Sequence, residues 1–508
     1  MADPIGKEIF VKLFSTYLAV LVSLSILLST GWTQSGSAIV GDGILSPVAA
    51  GTQNPADLQS QGPTKLFLPI AKLPQRFAPR VNMPYFEGGV QFPETSIFWF
   101  GRVNSVENYA DVRVGYNQSE LYIHIAVFDR HLWYDPSASK DKMTAYDAVT
   151  IYLNSGGNTG GSPDSGVFQL IGQLNWTEDR SKYQAAYQGN GSGWVAAAIP
   201  FTSKTIWRGN SPNDNGSDDR GWAITFYIPF SSLGLSGPPA QGTAWGLGLS
   251  LHDRDDAVGM PIPDQNWPPG MSSSAPVTWG QLAFGLPAYS PSSTAPAGTV
   301  KIRHGLDGAI VRDGEVGGDN ICSVNLKSYF TEWGENKNPG SEKNADLNIQ
   351  NQHDVGDWPC FSKAYLSFPL DLVPKDKKII SATLTLHLYA NAGGGDWGTP
   401  HPSLIQVATT AQDFDEATLT WNNAPLALEN ISRAWVYPLE SAPDWPGKPY
   451  TWEISQAVVN AYAVGQPLRL VLYSMDGNYD SGKYFVSSDM ADWNRRGRPT
   501  VDILWGEP

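Results

Sequence analysis

Two sets of side chains in this sequence have types and spacing suited to chemistry. The first is acidic. Asp253, Asp255 and Asp256 fall within four residues, and Asp129 and Asp147 each sit at the end or start of an apolar run. Carboxylate oxygens gathered this way suit a hard, oxygen-seeking cation such as Ca²⁺, although their spacing is not that of an EF-hand loop. The second set is aromatic. Trp133 and Tyr134 follow an apolar run, Trp267 and Trp445 sit in Pro-rich loops, and Trp358 and Trp397 each follow an aspartate. Aromatic faces in loops stack against the C–H-rich faces of sugar rings, with polar groups at the rim fixing the hydroxyls. A hydrolytic centre is not legible. There is no Gly-x-Ser-x-Gly elbow, no His-Glu-x-x-His and no phosphate loop, and the seven histidines are scattered. Asp413, Asp415 and Glu416 cluster, but a glycosidase needs two carboxylates opposed across a cleft. The expectation is a binding protein, not an enzyme.

The elements that position these residues are strands. Gly 51 and Pro 38 in 508 residues, with aromatics at 12% and charged residues at only 16%, describe many short strands and turns. Asp111–Tyr116 and Leu121–Asp129 flank a polar turn and read as a hairpin. Further strands are expected at 148–153, 167–170, 193–199, 222–228 and 243–251, and later at 382–389 and 468–473. One helix is expected over Ser455–Val464, capped by Ser455 and stopped by Gly465 and Pro467. Thr418-Leu419-Thr420-Trp421 reads as a short strand halted by Asn422, Asn423 and Pro425, with Trp421 and Trp452 in the core.

The N-terminus carries Lys7 and Lys12 before an uncharged apolar run, and Ser35-Gly36-Ser37-Ala38 suits cleavage after Ala38. A cleaved signal peptide and an uncleaved anchor are both consistent with it, and either exports the rest of the chain. Cys322 and Cys360 are the only cysteines, so one disulfide is expected outside the cell. The net charge of -15 argues against nucleic acid as a partner. Composition divides the chain into a leader (1–38), a linker that contains a candidate strand at Thr64–Ile70 (39–85), a β-sandwich (86–286), a Ser/Pro/Ala-rich linker (287–300) and a second β-sandwich (301–508). The fold class is all-β: two tandem antiparallel, jelly-roll-like sandwiches.

The second half resembles the DNRLRE-type domains grouped as family 96 carbohydrate-binding modules. The likeness rests on Gly308–Gly314, Lys363–Leu370, Ile380–Leu386, the Glu416-x-Thr-Leu-Thr-Trp-Asn-x-x-Pro425 run and Arg498–Val501. Such domains occur widely on secreted and surface proteins, and some members bind alginate. The first half is similar, more distantly, to family 9 modules and the wider DOMON-like sandwiches, through Ala126–Asp129, Tyr146–Leu153, Phe226–Phe230, Leu251-His252-Asp253 and Trp279–Leu282. Family 9 modules clasp a sugar between two tryptophans, but Thr144 and Ser273 stand at those positions here. Thr150 and Gln169 replace the expected glutamate and arginine. The resemblance therefore implies the fold and not that sugar site. Some DOMON-like sandwiches hold b-type haem through Met and His or Lys, which would point to Met143, His124 and His252. The leading expectation is an exported, non-catalytic protein that binds a polysaccharide or cell-surface glycan. The alternative is a surface or filament protein that binds copies of itself or other surface proteins.

Overall fold

The computed structural model describes residues 78–508 apart from 319–325, 327, 337–345, 353–354, 395–397 and 476–477. The leader, the Thr64–Ile70 strand, Cys322 and Trp397 lie outside the described residues.

The architecture is all-β, in two sandwiches. In the first, one layer orders the strands Gly280–Phe284, Ala244–Asp253, Ala148–Asn154, Val167–Gln173, Gln184–Gly189 and Trp194–Ala196. Its opposing layer contains Thr202–Arg208, Gly221–Pro229, Glu120–Phe128, Tyr109–Asn117 and Ser96–Gly101. Period-2 alternation places Val112 and Val114, Ile123 and Ile125, and Ile224 and Phe226 inward against Val149, Ile151, Leu247 and Leu249. In the second sandwich, Arg312–Gly317, Ser362–Phe368, Leu468–Ser474, Ser403–Thr410 and Ala427–Val436 face Pro296–Arg303, Thr500–Gly506, Lys378–Asn391, Lys483–Val486 and Asp346–Ile349. The helix Ser455–Ala463 packs on this core.

Three local expectations are corrected. Residues 418–421 form turn and irregular backbone rather than a strand, although Trp421 is buried as expected. Asn423 closes the turn by accepting from Thr420 N at 2.8 Å and donating to Thr418 O at 2.7 Å. Ser455 is the first residue inside its helix, not its cap, and its hydroxyl accepts from Ala382 N at 2.6 Å. The second linker is not wholly strand-free, and the first carries a strand other than the one expected. Arg80–Met83 runs parallel to Gly280–Phe284, and Pro296–Arg303 pairs antiparallel with Thr500–Gly506.

The sandwiches also share a core. Tyr109–Asn117 is buried at every position, because its outward face packs on the second sandwich. Trp99, Tyr109, Phe128 and Ala223 from the first sandwich join Tyr365, Leu404, Trp421, Val471 and Tyr473 from the second in one apolar cluster. Phe128 stacks on Trp358 with ring centroids 5.1 Å apart and planes at 17°. Main-chain groups cross as well. Gln406 accepts from Ile97 N at 3.2 Å and donates to Ile97 O at 2.7 Å, while Asn422 clasps Val103 in the same way at 2.8 and 3.0 Å. The strand Arg80–Met83 also reaches the second sandwich, where Arg80 pairs with Glu429 and Asn82 exchanges hydrogen bonds with Asn430.

Candidate functional site

The aromatic candidates separate by burial. Trp267 and Trp358 are fully buried and cannot stack on a ligand, which corrects the expectation for both. Trp267 packs on Phe98 with centroids 4.4 Å apart, and the Trp358 indole donates to Arg220 O at 3.0 Å. Both follow proline-flanked, polar sequence that reads as loop, yet their rings point into cores. Trp133 is half-buried, its indole donating to Asn215 Oδ1 at 2.8 Å. Tyr134, also half-buried, meets the edge of Trp176 at 5.3 Å, and Trp176 lies 6.0 Å from Trp207.

Trp445 is 51% exposed and belongs to a group of three rings. Tyr389 lies nearly parallel to it, with centroids 6.1 Å apart and planes at 26°. Trp493, 65% exposed, stands perpendicular to it at 4.8 Å. Tyr389 comes from the long strand Lys378–Asn391 and is fixed by donating to Asp346 Oδ2 at 2.8 Å. Trp493 comes from the 3-10 turn Asp492–Asn494. Sequence reasoning missed Tyr389 and Trp493. The available signal was the Trp493-Asn494-Arg495-Arg496 run, a local excess of cation in an acidic chain.

Cations converge beside these rings. His387, two residues before Tyr389, donates from Nδ1 to Gly497 O at 3.1 Å, which brings the 492–498 segment against the outer sheet. Burial lowers the His387 pKa, and Arg303 and Lys301 push it further down. Burial lowers the Arg303 pKa too, with Arg495, Arg496 and Arg498 contributing. Lys301 pairs with Asp502 at 2.6 Å and Arg498 with Asp492 at 3.0 Å. Arg495 and Arg496 are exposed.

The acidic set gathers at one end of the first sandwich. Asp129 follows strand Glu120–Phe128, Asp253 ends strand Ala244–Asp253, and Asp255 lies two residues on. Oxygens of these three residues all stand within 4.8 Å of one another. Asp147 is buried beside them, but its two oxygens accept from Trp133 N at 2.6 Å and Arg254 N at 3.0 Å. Burial, then Asp147, Asp253 and Asp255, push the Asp129 carboxyl well above the ordinary carboxylate range. Asp253 is pushed up to about 8 by burial and by Asp255. Asp256, expected in this group, is outside it: its carboxylate accepts from Val258 N and Gly259 N in an exposed turn. Gly221, at φ +130°, lets its strand close on Val127 O, where any side chain would collide.

Between the paired strands Ala148–Asn154 and Ala244–Asp253 lies a closed polar chain. Thr150 Oγ1 and His252 Nε2 are 2.7 Å apart, and His252 Nδ1 lies 2.8 Å from Asp264 Oδ1. The order mimics a nucleophile, base and orienting acid. Thr150 is fully buried, however, so its hydroxyl does not face a substrate. His252 has both ring nitrogens engaged, which corrects its candidacy as a haem ligand.

Residues 329–494 match the model of carbohydrate-binding module family 96. Among solved structures, the chain is similar to a family 9 carbohydrate-binding module from Caldicellulosiruptor kristjanssonii in complex with cellotriose. The two share 17% identity over 43% of this chain and 99% of the other, with a TM-score of 0.30. The same module in complex with glucose gives 16% identity over 42% and 98%, with a TM-score of 0.30. A carbohydrate-binding protein, described as putative, from Bacteroides uniformis gives 12% over 41% and 99%, again at 0.30. No curated protein matches.

Proposed function

We propose that the chain is an exported, non-catalytic glycan-binding protein, and that the second sandwich makes the contact through Tyr389, Trp445 and Trp493. The observation that carries this reading is a pair of half-exposed tryptophans, braced by a tyrosine, within the stretch that matches family 96. Solvent-exposed rings at right angles offer one face to a sugar and one edge to its flank, and hydrophobic surface of this kind is retained for a partner. Arg303, Arg495 and Arg496 give the platform a positive rim, so a polymer bearing carboxylate or sulfate groups is the preferred ligand. Export by the apolar leader and a Cys322–Cys360 disulfide belong to the same proposal.

Affinity electrophoresis against neutral and anionic polysaccharides tests it. The expected result is retardation in an anionic polymer that weakens with added salt and falls at least tenfold in Trp445→Ala/Trp493→Ala. Unchanged retardation in that variant places the contact elsewhere. The rival reading, an assembling surface protein, is favoured by the open edge strand Thr202–Arg208, where Ile206 is half-exposed. Ordered oligomers on size exclusion without added glycan would support the rival.

A further inference from the structure

We propose that the crevice at the seam between the two sandwiches is a second glycan site, where Tyr85 stacks on a uronate sugar and Arg433 pairs with its carboxylate. The ligand class rests on the glycan-binding reading above, but the site shares no residue with the platform of Tyr389, Trp445 and Trp493. Three observations carry it. The first is space. Tyr85, Tyr116 and Gln241, with Leu286 of the linker and Arg433 of the second sandwich, line a crevice of about 400 Å³. Small-molecule sites run from about 300 to 1,000 Å³. A neighbouring crevice of about 430 Å³ shares Leu286 and Arg433 and continues past Tyr289. Two crevices that meet at one arginine suit a chain of sugar units better than one compact ligand.

The second observation is the arginine itself. Arg433 is half-buried on the strand Ala427–Val436, and its guanidinium donates across the seam to Glu94 O. Among the described residues, no carboxylate stands within 4.0 Å of it. Arg80, on the same seam, is by contrast already paired with Glu429 at 3.5 Å. Burial disfavours the charge of Arg433. A guanidinium placed between two crevices without an acid is completed by an anion from solvent, and its planar fork fits a carboxylate.

The third observation is the aromatic wall. Tyr85 is 47% exposed, its ring inclined at 62° to Tyr116 with centroids 5.4 Å apart. Tyr116 is buried against Phe284 at 5.0 Å, so the outer ring has a rigid backing. A tyrosine face beside an arginine and the exposed Gln241 amide supplies stacking, charge pairing and a hydroxyl contact in one place. Gly285, at φ +97°, carries the linker under the Gln241 side chain, where any Cβ would collide. Neither sandwich alone presents these walls, so ligand binding and sandwich docking stabilise each other.

The test uses the full chain and two linear trisaccharides, one all-uronate and the other its carboxyl-reduced, neutral counterpart. Calorimetric titration is run on the wild type and on Trp445→Ala/Trp493→Ala, which lacks the platform. The platform variant is expected to bind one uronate trisaccharide per chain, and the neutral one at least tenfold more weakly. Adding Tyr85→Ala, a change at a half-exposed position that should leave the fold intact, is expected to weaken uronate binding at least tenfold. Arg433→Gln should do the same, and Arg433→Lys should recover part of the loss. Binding by the wild type but not by the platform variant overturns the seam site and leaves the platform reading standing. Binding of neither sugar by the wild type overturns both. Binding to the platform variant that ignores Tyr85→Ala and Arg433→Gln overturns the placement, and equal affinity for the two sugars overturns the role of the carboxylate.

Discussion

Lys363 Nζ lies 3.6 Å from the centroid of the Trp421 ring. The ammonium comes from the second sandwich and donates to Tyr109 Oη of the first at 2.8 Å. The Tyr109 hydroxyl in turn donates to Asp111 Oδ1 at 2.7 Å. Tyr473 Oη and Asn351 Nδ2 donate to Asp111 Oδ2 at 2.7 and 3.1 Å. Trp99, Tyr109 and Tyr473 complete an aromatic cage, with centroids 4.4, 4.8 and 5.1 Å from the nitrogen. Burial drives the lysine pKa well down, and Asp111 pulls it back. The rings favour the charged form as well.

This arrangement makes the two partners unequal. Removing Asp111 strands a buried ammonium along with two phenols and an amide, a loss of about 3–5 kcal/mol. Removing the charge of Lys363 with methionine keeps the packing and leaves Asp111 with its three donors. Urea unfolding should therefore rank Asp111→Ala as clearly more damaging than Lys363→Met. Equal losses would show that the charge pair, and not the network around Asp111, is what matters.

The shared apolar cluster predicts cooperativity. Unfolding one sandwich would leave Phe128, Trp358, Tyr365 and Tyr473 facing water. Scanning calorimetry of residues 78–508 should give one transition with matching calorimetric and van't Hoff enthalpies. Two resolved transitions would mean that the interface contributes little.

Asn422 and Asn423 separate two roles within one short run. Asn422→Ala deprives Val103 N and O of their partner across the interface, at a cost of about 1–3 kcal/mol. Asn423→Ala loosens only its own turn. Denaturation of the pair in parallel should show the larger loss at Asn422. The reverse order would place the work of this stretch inside the turn.

His387 carries a pH dependence. Burial, then Arg303 and Lys301, depress its pKa below the 6.5 of a free imidazole. The unfolded chain then takes up a proton before the native one does. Stability contributed at this position is present above about 6.5 and is lost as pH falls toward the native value. NMR titration should place the native midpoint below 6.5, and Arg303→Gln should raise it. A midpoint at or above 6.5 would contradict the placement of His387 among these cations.

Much of the fold was legible because alternation was clean. In the hairpin, Tyr109–Asn117 extends the expected strand by two residues at its start and one at its end, and Glu120–Phe128 is shifted by one residue from the expected Leu121–Asp129. What failed was the assumption that one face of each strand meets water. Asp111, Arg113 and Lys363 sit on outward faces and are nonetheless buried, because a second sandwich covers them. No single-strand pattern encodes a neighbour that arrives hundreds of residues later. The same blindness put Trp358 on the surface. Thr418–Trp421 mimicked a strand because alternating Thr with buried Leu and Trp also suits a turn pinned at both ends. The acidic site was read more nearly, since Asp129, Asp253 and Asp255 do converge. Asp256 was misjudged because adjacency in sequence says nothing about which carboxylate its own turn consumes.

The strand Arg80–Met83 emerges early from the ribosome, but its neighbours come late. It lies beside Gly280–Phe284, and Asn82 bonds to Asn430, 348 positions further on. During synthesis the leading strand must wait for both, with its amides open, while most of the polypeptide is still to be made. A truncated product ending near residue 290 could still pair that strand with Gly280–Phe284 but would keep its second edge unpaired.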